Sequence, residues 1–343
     1  KSKMSSAVIF GGCGFIGLYY AEELINQKSY DKIYLVDIKE PEDDFGQSKY
    51  KNILATGKVI FLKKDIRENL NDLDINESVN IILNFAAVHR EPGHLDHEYF
   101  DTNLKGAENI CSFSNHHKCN NIIFLSSIAV YGAGDHEKNE ETKKLPNTAY
   151  GKSKLSAEKI HMQWQNDDKE NRILSICRSG VVFGSGEKGN VTRLVSIIKK
   201  KLFFFMGNKN IKKAGIYIKE LLNILIWVNQ KQLSEKIPNI ALYNATLFPC
   251  PTLEDYSKSI SKNLNYSENF FSIPYFFINS LIILSSFITK NLSSKNNYNY
   301  TRLKKLFRSN AIKPSFLLNK KYPFKYDLNT SMKDWKKMNP SDW

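Results

Sequence analysis

The chain has 343 residues, 42% of them apolar and 24% charged, which excludes a disordered or fibrous protein and allows a buried core in one large or two modest domains. Its five cysteines (Cys13, Cys111, Cys119, Cys177, Cys250) form no C-x-x-C pair and no metal-ligand spacing with histidine, so neither a disulfide framework nor a metal site is expected. The formal net charge of +14 fits a lysine-rich surface, an anionic substrate, a membrane surface or nucleic acid, but no zinc finger, paired aromatic strand motif or basic heptad supports the last.

Ala7-Val8-Ile9-Phe10 is a short apolar run of the kind that forms a buried parallel strand. No apolar leader precedes it after Met4, and a cytoplasmic protein is expected. Gly11-Gly12-Cys13-Gly14-Phe15-Ile16-Gly17 follows at once, and Leu18 to Asn26 reads as a helix. In this G-x-x-G-x-x-G spacing Gly11 permits a tight turn, Gly14 lets backbone approach a pyrophosphate, and Gly17 lets the helix pack on the strand. The N–H groups of Phe15, Ile16 and Gly17 at the helix start would then face phosphates. Ile33 to Val36 is a second strand closed by Asp37, twenty residues past Gly17. A carboxylate there can accept both ribose hydroxyls of an adenosine and repels a 2′-phosphate, which predicts NAD rather than NADP.

Lys39 to Gly57 is polar and reads as a loop with room for a short helix, and Val59 to Leu62 is a third strand. Asp65 and Ile66 stand where one carboxylate and one apolar face could hold an adenine, or where a strand-end acid could cap the next helix. Val79 to Ala87 is a fourth strand, whose small Ala86 and Ala87 would let a cofactor lie across its end. Glu98 to Ser114 reads as a helix with Asn103 in its middle, where an amide needs a partner. Asn121 to Ser127 is a fifth strand. The alternation predicts a parallel, doubly wound α/β sheet with right-handed crossovers, and the glycine loop, Asp37, Asp65, Ala86, Ala87, Ser126 and Ser127 all fall at strand carboxyl ends, where such sheets bind ligands.

Tyr150 and Lys154 open a helix running to about Asp167 and share one face of it. An ammonium beside a phenol favours the phenolate. Arg172 to Val182 is a sixth strand; Gly189 to Arg193 leads a helix to Lys201; Ile211 to Ile218 is a returning strand followed by a helix from Glu220 to Asn229; Ile240 to Thr246 is another strand. Beyond Pro249 the pattern is mostly helical. Ser272 to Thr289 is apolar but interrupted by Pro274, Asn279 and serines, which predicts a buried or partner-facing helix rather than a membrane span. Ten Lys/Arg and no acid lie between Lys290 and Lys325.

GGCGFIG, LSSIAVYG, YGKSK and CRSGVVFG together resemble the extended short-chain dehydrogenase/reductases, and more narrowly the NAD-dependent epimerase/dehydratase family that acts on nucleotide sugars. The resemblance is strongest from Val8 to Arg193. It implies an NAD-binding Rossmann domain over residues 4–180 and a smaller, mostly helical substrate domain over 181–343, with about 211–247 returning to the first. It makes Tyr150 the general acid/base, has Lys154 hold the nicotinamide ribose and tune Tyr150, and has Ser127 bond the reacting sugar oxygen. His89 falls where related epimerases place a lysine near cofactor and substrate, and Asn103 where the family has a structural asparagine. Asn190 to Arg193 is similar to the segment that grips the substrate diphosphate, with Arg302 or Arg308 expected opposite Arg193. Solvated surface and a membrane-facing patch are the other readings of that basic stretch.

Departures from the family narrow the reaction. A 4,6-dehydratase would carry Asp-Glu where this chain has Ile128-Ala129, so dehydration is not expected. Ser179 stands where the family often has proline, and Lys219-Glu220 displaces its usual acid. The expectation is a homodimeric, NAD-retaining nucleotide-sugar 4-epimerase, with a 4-keto nucleotide-sugar reductase and a non-catalytic NAD-binding sensor as alternatives.

Overall fold

Alternation along the first strand sets the two faces of a sheet. In β1 (Ser5–Phe10), Ala7 and Ile9 enter one apolar layer with Leu35, Ile81 and Leu83. Val8 and Phe10 enter the other with Tyr34, Val36 and Ile82. Runs buried on both faces belong to parallel sheets covered on both sides. The computed structural model describes residues 4–90, 93–273 and 309–343. After β1 come α1 (Phe15–Asn26), β2 (Lys32–Asp37), α2 (Asp44–Leu54), β3 (Val59–Lys63), β4 (Ser78–Asn84), α3 (Asp96–His116), β5 (Asn121–Ser127), α4 (Ala149–Asn166) and β6 (Ile173–Ser179). The chain continues through β7 (Val181–Phe183), α5 (Asn190–Lys199), β8 (Phe205–Met206), β9 (Gly215–Tyr217), α6 (Ile218–Leu233), β10 (Ile240–Ala245), α7 (Leu253–Leu264) and β11 (Ser272–Ile273). Two helices close it, α8 (Ser315–Asn319) and α9 (Leu328–Met338).

Seven strands form one parallel sheet in the order β10-β6-β5-β4-β1-β2-β3. Helices α1, α2 and α6 cover one face through Leu24, Ile53 and Leu225; α3 and α4 cover the other through Phe113 and Trp164. This is the doubly wound Rossmann architecture expected from the sequence. Each fully buried Leu, Ile or Phe contributes roughly 1.5–3 kcal/mol of apolar transfer free energy.

One open expectation is settled and three are corrected. The polar run after Asp37 holds an 11-residue helix, α2, whose start is capped by Asp43 accepting the Gly46 N–H at 2.8 Å. The expected sixth strand breaks at Gly180, where a Cβ would lie 2.8 Å from the Ala214 carbonyl oxygen. Beyond that point β7 leaves the main sheet and pairs with β9. The returning strand is therefore only Gly215–Tyr217 and belongs to that separate pair, while β10 joins the main sheet beside β6. Ser272 and Ile273 are a strand paired with β8, not the start of a helix; 274–289 lie outside the described residues.

The C-terminal part is sewn on by two acids, buried Glu220 and half-buried Glu140. Glu220 accepts the Tyr322 hydroxyl at 2.7 Å and the N–H groups of Lys325 and Tyr326 at 3.1 and 2.9 Å. Glu140 accepts N–H groups from Asn244, Ser315 and Phe316, tying the end of β10 to α8.

Candidate active site at the carboxyl ends of the strands

The glycine loop lies against the end of β4. Gly11 has φ +74°, and a Cβ on it would meet the Ala86 backbone nitrogen at 2.6 Å. A Cβ on Gly17 would stand 2.5 Å from the Gly11 carbonyl oxygen, so glycine there brings α1 onto the loop. Around Gly14 the nearest atom to a Cβ is the Gly11 oxygen at 3.3 Å. No side chain caps α1 and its first turn holds no acid, leaving the N–H groups of Phe15, Ile16 and Gly17 at an uncapped, electropositive helix start. Asp37, at the tip of β2, accepts the Cys13 N–H at 3.0 Å and the Ile38 N–H at 2.8 Å. Burial pushes its carboxyl up and those N–H groups oppose the shift. The cradle fits a dinucleotide: open backbone for a pyrophosphate, and a carboxylate at the neighbouring strand end for a ribose.

Past β4, Ala86 and Ala87 are half-buried, and the half-turn that follows is held by Asn103. Asn103 Oδ1 accepts the Val88 N–H at 3.0 Å; Nδ2 donates to the Val88 carbonyl at 3.2 Å and to Ser153 Oγ at 2.9 Å. The buried amide thus ties α3 to the strand-end loop and to α4, the partner its position demanded. His89 is exposed at the rim, its Nδ1 3.5 Å from the Ala87 carbonyl oxygen. Asp65 and Ile66 each have a neighbour within the protein. The Asp65 carboxylate takes Arg67 Nη2 at 2.6 Å and the Arg67 N–H at 2.9 Å, and Arg67 holds it below the usual carboxylate range. No helix follows for it to cap; Ile66 is buried against Gly106 of α3.

β5 and α4 bring the expected catalytic residues to one place. Ser127 ends β5, and its Oγ accepts the Ala129 N–H at 3.2 Å in the 3-10 turn Ile128–Tyr131. Gly151 lets α4 abut that turn, since a Cβ on it would stand 2.5 Å from the Ala129 carbonyl oxygen. Tyr150 is the residue before, half-buried, with its ring centroid 6.1 Å from that of Tyr99. One turn further, Lys154 is buried and donates from Nζ to the Leu125 carbonyl at 2.8 Å. Burial pulls its ammonium down to about 8. The Phe124 ring lies 4.8 Å beneath that nitrogen and stacks on His161 at 4.2 Å.

Behind these residues lies a network that the sequence reading did not identify. Ser126, Arg178 and Asn244 occupy matching register positions on β5, β6 and β10. Ser126 Oγ donates to Glu158 Oε1 at 2.5 Å, and Arg178 clasps both Glu158 oxygens at 2.9 and 2.7 Å. Arg178 also donates to the Tyr131 hydroxyl at 3.0 Å, which donates to Asn244 Oδ1 at 2.7 Å. Glu158 follows Lys154 by four residues, as Lys154 follows Tyr150, so one helix face carries all three. That spacing was the available signal.

Of the four residues expected at a substrate diphosphate, two are described. Asn190 and Arg193 are exposed in the first turn of α5. The Glu187 carboxylate folds back over Gly189, where a Cβ would stand 1.6 Å from Oε1, and accepts the Thr192 hydroxyl at 2.8 Å. Burial pushes this carboxyl up. Arg302 and Arg308 lie outside the described residues. Among the described residues no cluster of His, Cys, Asp and Glu could hold a metal, and no helix is long and apolar enough to cross a membrane.

Known proteins share the fold. The undecaprenol-linked N-acetyl-alpha-D-glucosaminyl-diphosphate 4-epimerase of Escherichia coli O157:H7 is 26% identical over 277 residues, covering 79% of this chain and 76% of its own. The decarboxylating sterol-4-alpha-carboxylate 3-dehydrogenase of Candida albicans is 24% identical over 311 residues, covering 86% and 85%. Among solved structures, UDP-glucuronic acid 4-epimerase from Bacillus cereus in complex with NAD superposes with a TM-score of 0.72 at 16% identity, over 97% of this chain and 99% of that one. A dTDP-glucose 4,6-dehydratase from Bacillus anthracis in complex with NAD gives 0.72 at 17% identity, over 99% and 98%. The profile of the 3-beta hydroxysteroid dehydrogenase/isomerase family matches residues 8–274, a span that holds the glycine loop, Asp37, Ser127, Tyr150 and Lys154, and the chain belongs to that family of NAD-dependent epimerase/dehydratase-type enzymes.

Proposed function

We propose that this protein is an NAD-dependent 4-epimerase of a diphosphate-linked sugar. The observation that carries the reading is the buried Lys154 ammonium, anchored on the Leu125 carbonyl one helical turn from Tyr150 and just behind Ser127. Such a cation favours the Tyr150 phenolate, which can accept the proton of a sugar hydroxyl. Ser127 Oγ accepts the Ala129 N–H, and its own hydrogen would be donated to the reacting sugar oxygen. The glycine loop, the N–H groups of Phe15, Ile16 and Gly17, and Asp37 would hold the dinucleotide, with Ala86 and Ala87 leaving room beside it. NAD held there supplies a reversible hydride acceptor. Tyr150 then returns its proton to the same oxygen once the sugar has presented its other face. Lys154 would hold the nicotinamide ribose as well as tune Tyr150.

A nucleotide sugar is the first reading of the substrate, gripped by Asn190 and Arg193. A specific observation favours a second: the Escherichia coli relative, which spans more than three quarters of both chains, acts on a polyprenol-diphosphate sugar. Purified protein given UDP-sugars or polyprenol-diphosphate sugars, without added cofactor, tests both. Interconversion of one set of 4-epimers, lost by on the order of a hundred- to ten-thousand-fold in Tyr150→Phe, is the expected outcome. Stoichiometric oxidation of added NADH by a 4-keto sugar, without epimerisation, would instead make it a reductase.

A further inference from the structure

The small sheet formed by β8 and β11, with the residues leading into it, carries aromatic side chains on both faces. Ser272 pairs with Phe205 and Ile273 with Met206, which sets Phe270 beside Phe203 and Phe271 beside Phe204. On one face Phe203, Phe205 and Phe270 pack together with ring centroids 5.0–5.7 Å apart. The other face carries Leu202, Phe204 and Phe271, which are 67%, 40% and 75% exposed, with half-buried Met206 and Ile273 in the same alternation. A solvated strand face should read polar by that alternation, and none of these five residues is polar. A contiguous exposed apolar face marks an interaction surface.

The charge beside this face selects the partner. Lys199, Lys200 and Lys201 immediately precede Leu202 and are all exposed; Lys201 lies 4.9 Å over the Tyr266 ring, and Lys199 reaches the Ser341 carbonyl. Glu268 is an exposed acid on the same edge. The sequence leaving this edge after Ile273 has the same two properties: residues 274–308 contain six Lys/Arg, no acid and a long apolar run. Aromatic side chains flanked by lysines suit the boundary between anionic headgroups and acyl chains, where apolar burial and electrostatic attraction add. A protein partner or a second copy would not need a surplus of one sign. We infer that Leu202, Phe204 and Phe271 seat this protein peripherally on an anionic lipid surface, with Lys199, Lys200 and Lys201 at the headgroups.

The inference is independent of the catalytic reading, because its test uses no substrate. Full-length protein is floated with phosphatidylcholine vesicles with and without phosphatidylglycerol, at low and high salt. Wild type should float with the anionic vesicles and lose most binding at high salt. Phe204→Glu combined with Phe271→Glu should lower the bound fraction roughly tenfold or more, with NAD affinity and thermal unfolding unchanged because both side chains are exposed. Replacing the three lysines by glutamine should abolish the preference for anionic lipid. Failure of wild type to float, or equal flotation of the double variant, would overturn the inference. So would a wild-type dimer, seen by sedimentation, that the double variant dissolves without any vesicle binding, since the face would then join two copies.

Discussion

Glu158 of α4 and Arg178 of β6 meet through two hydrogen bonds, 2.9 and 2.7 Å, with both side chains 1% exposed. A buried ion pair roughly breaks even against an apolar pair, while removing one partner strands a charge at a cost of about 3–5 kcal/mol. Arg178→Met and Glu158→Leu should each lose about that much unfolding free energy. The double variant Glu158→Leu with Arg178→Met should recover most of it. Urea unfolding of the four proteins is the measurement, and strictly additive losses would show that the two residues act separately.

The reach of the sequence reading follows from which contacts are local. Asn121–Ser127 was readable as β5 to the residue, since a short β-branched and apolar run buried on both faces leaves one periodic signature. The glycine loop and Asp37 were equally legible, because turn, helix start and strand end lie within one strand-helix-strand unit. The break at Gly180 was not, because it depends on Ala214, far along the chain, occupying the space of a side chain. Glu158 was hidden for a related reason: its partners Ser126 and Arg178 come from two other elements. The full length of α2 was not read despite a local mark, the Asp43 cap, because polar composition outweighed it. The Arg67 partner of Asp65, two residues on, was likewise not read from its position.

Asp37 has two functions that substitution can separate. It accepts the Cys13 N–H and so shapes the glycine loop, and its charge would repel a 2′-phosphate. Asp37→Ala should weaken NADH binding and narrow the preference over NADPH on the order of tenfold, about 1.4 kcal/mol. Asp37→Asn keeps an acceptor for Cys13 and removes only the charge, so it should narrow the preference with a smaller loss of NADH affinity. Direct titration with both cofactors is the check. Tighter binding of NADPH than NADH by wild type would refute the role given to Asp37.

Asn103 binds three groups at once: the N–H and C=O of Val88 and the Ser153 hydroxyl. Asn103→Leu keeps the volume and leaves those groups without it, which should cost roughly 2 kcal/mol or more of stability. The loop after Ala87 would lose its tether, so the Kd for NAD should rise as well. Ser153→Ala removes one of the three contacts and should cost less in both assays. Equal losses for the two variants would mean that the Val88 loop is held by something else.

Lys154 would link stability and catalysis through pH. It is 3% exposed, and burial pulls its ammonium from 10.5 to about 8; the charge facing it is Glu158, one turn along α4, which opposes the shift, while His161 is held neutral by its own burial at about 4. Between about 8 and the unfolded value near 10.4 the unfolded chain binds a proton that the folded chain has lost, so this group makes stability rise with pH across that window. Below about 8 both states are protonated and the full cost of burying the charge is present. Lys154→Met removes that cost. The variant should be at least as stable as wild type at neutral pH, and its relative advantage should fall as pH approaches 10. Activity should move the other way, because Lys154→Met no longer favours the Tyr150 phenolate and should lose on the order of a hundredfold or more in kcat. In wild type kcat/KM should decline as pH passes about 8, where Lys154 sheds its charge. Denaturant unfolding across alkaline pH and a pH profile of kcat/KM read the two halves independently. A wild-type profile flat to about pH 10 would remove Lys154 from the chemistry, and a variant less stable than wild type at every pH would mean the ammonium contributes more through Leu125 than its burial costs.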